Sequence, residues 1–152
     1  PGALMGMSER DTKAIIKKDL LRRLAESRLR EANALYSAGY YQGAIYLAGY
    51  AVECWLKVAI CRALDWDELY DTFKRHDLMF LLRHSGLFRR ISDAPKVNIN
   101  FRKIMAIWFW DNKVELRYCD PDSYSADRAK HFLHWVADKT EGVVPWLSKQ
   151  VS

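Results

Sequence analysis

Glycine and proline are scarce, seven and four among 152 residues. That excludes a collagen-like or low-complexity chain and leaves room for long uninterrupted elements. Cysteine is scarcer still: Cys54, Cys61 and Cys119 are odd in number and form no Cys-x-x-Cys pair. No disulfide framework is implied, and the expected setting is a reducing one, the cytoplasm. Cys54 and Cys61 sit in an apolar run, where free thiols behave as small core residues. His76, His84, His131 and His134 do not pair with these cysteines at zinc-ligand spacing, so no metal site and no cofactor are expected. The first twenty residues lack the apolar stretch of about 7–15 residues that a secretory signal needs. The leading Pro1-Gly2-Ala3-Leu4-Met5-Gly6 reads instead as an expression remnant before a start at Met7, leaving residues 7–152 as one domain. The most membrane-like stretch, Ala44 to Cys61, spans 18 residues and carries Glu53 and Lys57 mid-run. A buried central helix fits it better than a membrane span of about 20 residues.

What is abundant is helix-forming sequence. Half of the chain is hydrophobic and 28% is charged, the balance of a soluble globular protein. Asp11 to Ala38 holds no Gly or Pro, and Ile16, Leu20, Leu24 and Leu35 recur near helical spacing, predicting a long amphipathic helix stopped by Gly39. A second helix follows from about Gln42 to Leu64, apolar nearly all round. Asp65 to Phe73 is a short helix or a loop. Leu78, Leu81 and Leu82 at i, i+3, i+4 mark a third helix over Asp77 to Ser85, ended by Gly86. Leu87 to Asn100 reads as a loop, with helix resuming from about Asn98 through Trp110. After the break at Asp120-Pro121-Asp122-Ser123, Ser125 can cap a last helix through Thr140 with Phe132, Trp135 and Val136 on its apolar side. Gly142 and Pro145 make the tail a separate turn or short helix. The fold class expected is all-α, an up-and-down bundle of four to five helices with no convincing strand.

The formal charge of +5 is unevenly spread. Between Phe73 and Lys103 stand eight cations (Lys74, Arg75, Arg83, Arg89, Arg90, Lys96, Arg102, Lys103) against Asp77 and Asp93. Between Asp111 and Asp127 five acids face Lys113 and Arg117. The basic middle is either an ordinary solvated surface or a site for an anionic partner such as nucleic acid or a nucleotide phosphate.

Ala38-Gly39-Tyr40-Tyr41-Gln42-Gly43, leading into the helix that bears Glu53-x-x-x-Lys57, resembles the first helical hairpin of HEPN proteins. His76-Asp77-Leu78 with Leu81-Leu82 and Gly86-Leu87 resembles the family's next segment, and Leu116-Arg117-Tyr118 ahead of Ala129-x-x-Phe132-Leu133 its last. The resemblance covers roughly Asp11 to Asp138. It implies a helical bundle that often forms a homodimer and works in RNA or nucleotide biology. Many members are metal-independent ribonucleases, some of them toxins paired with a nucleotidyltransferase antitoxin. Their signature is an Arg followed by four to six residues and a His, often with a Tyr two beyond. Laid on this chain, Arg117 takes the Arg position and Tyr124 the Tyr position, while the His position is Asp122. An ionised Asp is a poor proton donor and repels the phosphate that Arg attracts. Arg128 and His134 meet the bare spacing but lie within one helix, where the two side chains need not converge.

Several residues carry two readings. Glu53 and Lys57 at i, i+4 either let one face of an apolar helix meet water or a neighbour, or converge with Arg117 in a shared pocket. His76 is either a displaced catalytic base or a residue at a helix start beside Asp77. Trp108, Trp110, Trp135 and Trp146 either fill the core or stack on bases. The tentative catalytic set is Arg117, Asp122, Tyr124, Glu53 and Lys57. The tentative RNA- or nucleotide-binding set is Lys74, Arg75, Arg89, Arg90, Arg102, Lys103 and Arg117. The expected function is a catalytically degenerate module that binds RNA or a nucleotide, as a homodimer, within a toxin-antitoxin or defence system. The alternatives are a metal-independent ribonuclease acting at a dimer interface, with His76 or His134 replacing the missing His and Tyr124 as a site for a nucleotidyltransferase partner, and a structural interaction bundle.

Overall fold

The computed structural model describes residues 13–112 and 120–152, the stretch 109–112 by its backbone alone. The leader Pro1–Gly6, Met7, the helix start at Asp11, the segment Leu116-Arg117-Tyr118, Cys119 and the side chain of Trp110 lie outside the described residues. The described elements run β1 (Ala14–Lys17), α1 (Lys18–Ser37), α2 (Tyr41–Ala63), β2 (Glu68–Tyr70), α3 (Leu78–His84), α4 (Pro95–Asn112), α5 (Ala126–Ala137) and α6 (Val143–Gln150). Short 3-10 turns cover Asp71–Phe73, Arg90–Asp93 and Pro121–Ser123.

The two strands correct the expectation of none. Ala14–Lys17, with the β-branched pair Ile15-Ile16 at its centre, pairs antiparallel with Glu68–Tyr70, Ile16 opposite Leu69 and Lys17 opposite Glu68. Backbone hydrogen bonds Lys18 N–Asp67 O (2.8 Å) and Asp71 N–Lys13 O (2.9 Å) extend the ribbon. Lys17 supplies no side-chain cap, so this pairing decides where α1 begins. Glycine then decides where it stops: Gly39 takes φ 88°, which costs a residue without Cβ nothing. The buried face of α1 is Leu21, Ala25 and Ala32 rather than the Leu20–Leu24 stripe, and Leu20 is exposed. Small alanines let α1 lie close along α2, the most extensive helix pairing of the fold.

Helix α2 is the central element, buried on all sides from Ala44 to Cys61 apart from a few half-exposed positions. It is long and apolar enough to cross a membrane, but 83% of its apolar window is buried within the protein. Helices α1, α3, α4, α5 and α6 all pack on it. At α3, Asp77 accepts from the backbone N–H groups of Met79 (3.0 Å) and Phe80 (3.2 Å), and Leu78, Leu81 and Leu82 are buried. Helix α4 starts at Pro95, not Asn98, because the fixed φ of proline suits a first helical position and its missing N–H is not needed there. Val97, Phe101, Ile104 and Trp108 form its buried stripe. Helix α5 is capped by Ser125 as expected (Arg128 N to Oγ, 3.1 Å) but ends at Ala137. There the Asp138 carboxylate accepts from Thr140 N, Thr140 Oγ1 and Glu141 N and turns the chain into α6, so the tail is a sixth helix.

Cys54 and Cys61 are buried on α2. Burial, with the neighbouring Glu53 carboxylate adding to it, pushes the Cys54 thiol up to about 12. Burial pushes Cys61 up to about 11. Native protein treated with a thiol reagent at pH 8 is therefore expected to leave both unlabelled, with full reaction only after unfolding. Peptide mapping checks this, and labelling of either thiol without denaturant would contradict the packing of α2. The sign for stability follows: above the ordinary value of 9.0 the unfolded thiols lose protons that the folded ones keep. This contribution is intact below pH 9 and declines as pH rises toward about 12.

Candidate functional site

Because α2 is enclosed on every side, the carboxylate of Glu53 has no exposure to solvent. A buried charge without partners is expensive, and both of its oxygens are engaged. Lys57, one turn on and 7% exposed, donates from Nζ to Oε2 at 3.0 Å. His76 donates from Nδ1 to Oε1 at 2.8 Å. The Asp77 cap fixes the start of α3 and with it the position of His76, whose side chain remains 64% exposed. The arrangement is a column of charge that rises from the centre of the bundle and ends in an imidazole at the surface. The same enclosure raises the Tyr50 phenol above its ordinary value, burial first and the neighbouring Cys54 and Glu53 next.

Around that imidazole α3 presents a basic surface with aromatic rings set into it. The Arg75 guanidinium lies 4.1 Å from the centre of the Phe80 ring. His84 packs against the same ring, centroids 4.2 Å apart, and its Nδ1 donates to the Phe80 carbonyl at 2.8 Å. Arg83 lies 4.6 Å over Phe88, which is itself partly exposed. Among the described residues, none of Lys74, Arg75, Arg83 and Arg89 has a carboxylate within salt-bridge reach.

The remaining cations of the basic stretch are also exposed but stand elsewhere. Arg90 reaches Gln150 of α6 (3.1 Å), and Lys96 approaches Glu141 (3.9 Å). Arg102 is exposed on α4, and Lys103 lies over the Trp135 ring of α5 at 5.5 Å. Trp108 is core rather than surface, and Trp135 and Trp146 are half-buried.

The tentative catalytic set divides in two. Arg117 lies outside the described residues. Asp122 is exposed in the turn Pro121–Ser123, at a groove it shares with Tyr40, Gln42 and Gly43. Glu53 is ten residues along α2 from Gly43, about 15 Å at the rise of a helix. Tyr124 is 5% exposed, its ring covered by the Arg128 guanidinium at 4.5 Å. Arg128 and His134 do not converge: six residues along a helix leave them about 120° apart around its axis. His134 is instead bonded through Nε2 to Glu141 Oε1 at 2.8 Å.

Sequence reasoning missed two features. It weighed His76 and Glu53 separately, and nothing in their spacing of 23 residues joins them. It also tested histidines only against cysteines, passing over His134-x-x-x-Asp138-x-x-Glu141, whose ligand atoms lie within 4.8 Å of one another. The second group could in principle hold a cation. Its geometry is accounted for by the α5–α6 corner, where the backbone N–H of Glu141 and the Thr140 hydroxyl hold the Asp138 carboxyl below the usual range.

No curated protein and no solved structure matches the chain. The family model described as the HEPN domain matches residues 18–138, from the start of α1 past the end of α5. The chain belongs to the HEPN domain family.

Proposed function

We propose that the protein binds RNA or a nucleotide through its phosphates, on the surface around α3. The observation that carries this reading is the exposed Arg75–Phe80–His84 stack beside Arg83 over Phe88. Unneutralised guanidinium groups attract phosphate oxygens with directional hydrogen bonds, and the flanking rings offer faces on which bases stack. Family membership agrees, since HEPN domains are often tied to RNA or nucleotides. A mixed single-stranded RNA pool in EDTA, titrated from low to high salt, provides the test. Binding is expected to weaken steeply with salt, and Arg75→Ala with Arg83→Ala is expected to weaken it about tenfold or more and flatten the salt slope by roughly 1.4. Affinity that ignores salt would count decisively against the proposal.

A second reading, a metal-independent ribonuclease acting as a homodimer, is favoured by one specific feature. An exposed imidazole held by a buried carboxylate, as His76 is by Glu53, is the arrangement of a general base. Cleavage of the same pool, lost in Arg117→Ala, would favour it. Neither binding nor cleavage would leave an interaction bundle whose partner is a protein.

A further inference from the structure

Lysine and arginine offer only donors, so a surface built from them alone grips phosphate equally in RNA and DNA. The two histidines of the α3 surface differ in kind. A carboxylate oxygen only accepts, so the proton of the neutral His76 ring sits on Nδ1, facing Glu53 Oε1 at 2.8 Å. A carbonyl oxygen likewise only accepts, so the proton of neutral His84 sits on Nδ1, facing the Phe80 carbonyl at 2.8 Å. Both rings are therefore held with Nε2 as a lone-pair acceptor, and both are exposed, at 64% for the His76 side chain. Among the described residues no further hydrogen bond engages either Nε2. Each ring stands beside a cation that can hold phosphate: Arg75 precedes His76 in sequence, and Arg75 and His84 both lie against the Phe80 ring.

We infer that His76 and His84 accept hydrogen bonds from ribose 2′-hydroxyl groups and so make this surface select RNA over DNA. The inference rests on the binding reading above and deepens it. The 2′-hydroxyl is the group that distinguishes the two nucleic acids, and only an acceptor can use its proton. Glu53 is the positioning residue for one of the two acceptors: buried and held by Lys57, it cannot turn away and release the His76 tautomer. The Phe80 carbonyl, fixed in the first turn of α3, does the same for His84.

The full chain at pH 8 would be titrated with three single-stranded 12-mers of one sequence: RNA, DNA, and 2′-fluoro RNA. The fluoro sugar keeps the ribose pucker but has no proton to give. RNA is expected to bind roughly threefold to tenfold more tightly than either of the others, the worth of one or two neutral hydrogen bonds. His76→Ala with His84→Phe, which keeps a ring against Phe80 but offers no acceptor, is expected to bring RNA and 2′-fluoro RNA to equal affinity, and circular dichroism checks that the variant is folded. Equal affinity of the unaltered protein for RNA and 2′-fluoro RNA would overturn the inference and leave phosphate binding standing. So would a preference that survives the double substitution. Absence of binding to all three oligonucleotides would overturn the inference together with the reading beneath it, whereas equal binding of all three, lowered alike by Arg75→Ala with Arg83→Ala, would overturn the inference alone.

Discussion

Glu53→Ala is expected to cost about 3–5 kcal/mol of folding stability, a large part of the about 5–15 kcal/mol of an ordinary domain. The loss comes less from the interaction removed than from what it strands. Lys57 is 7% exposed and would be left with its ammonium group in the bundle interior, and His76 would lose the acceptor for its Nδ1 proton. Replacing both members, Glu53→Met with Lys57→Met, removes the desolvation cost of two charges along with their attraction. Methionine is a good helix former of similar length, so the double variant is expected to stand within about 1 kcal/mol of the original or above it. Urea unfolding followed by circular dichroism distinguishes the two. A single substitution as mild as a surface change, about 0.5 kcal/mol or less, would mean that water reaches the carboxylate in solution. The double variant also isolates function from fold. It keeps α2 packed but frees the His76 ring, so its preference for RNA over 2′-fluoro RNA is expected to fall while DNA binding persists.

That pair also marks how far the sequence could be read. Helix α2 was legible to within a residue at each end, because an apolar run between small-residue turns has one reading in a chain of this composition. The α3 segment was legible too: Asp77 caps it, three leucines share a face, and Gly86 at φ 79° ends it. A charge within such a helix had to have a partner, and the sequence pointed to Lys57 and to a further group. It offered Arg117 for the further group, by resemblance. Arg117 lies outside the described residues, and among the described ones the further partner is His76, brought there by the 3-10 turn and the Asp77 cap rather than by any periodicity. The strand at Ala14–Lys17 was hidden for a related reason. Its residues suit helix or strand, and the choice is made by a partner strand more than fifty residues away. At α4 the error was local, since Leu87 to Asn100 was read as a loop although Pro95 within it begins the helix.

Gly49→Ala is expected to destabilise the fold by about 2–4 kcal/mol, although alanine is ordinarily the better helix residue by about 1 kcal/mol. A methyl group at Gly49 would overlap the indole of Trp108, at Cδ1, Nε1 and Cγ. That indole is 1% exposed, and its N–H donates to the Tyr46 carbonyl at 3.1 Å. It has no free space to move into, so the methyl group must push α4 away from α2 or turn the ring. Overpacking costs about 1–3 kcal/mol, and a stranded buried N–H adds a similar amount, which together exceed the helix-propensity gain. The cause is tested by changing the partner. In a Trp108→Leu background, itself weakened by about 3 kcal/mol for the lost ring, the same Gly49→Ala change is expected to become neutral or to stabilise by up to about 1 kcal/mol. Thermal or urea unfolding of the four proteins gives the coupling directly. An equal loss in both backgrounds would trace the glycine to α2 itself instead of to the helix crossing. A coupling of about 3 kcal/mol would identify the Gly49–Trp108 contact as what holds α4, with Arg102 and Lys103 on its outer side, against the helix that carries Glu53.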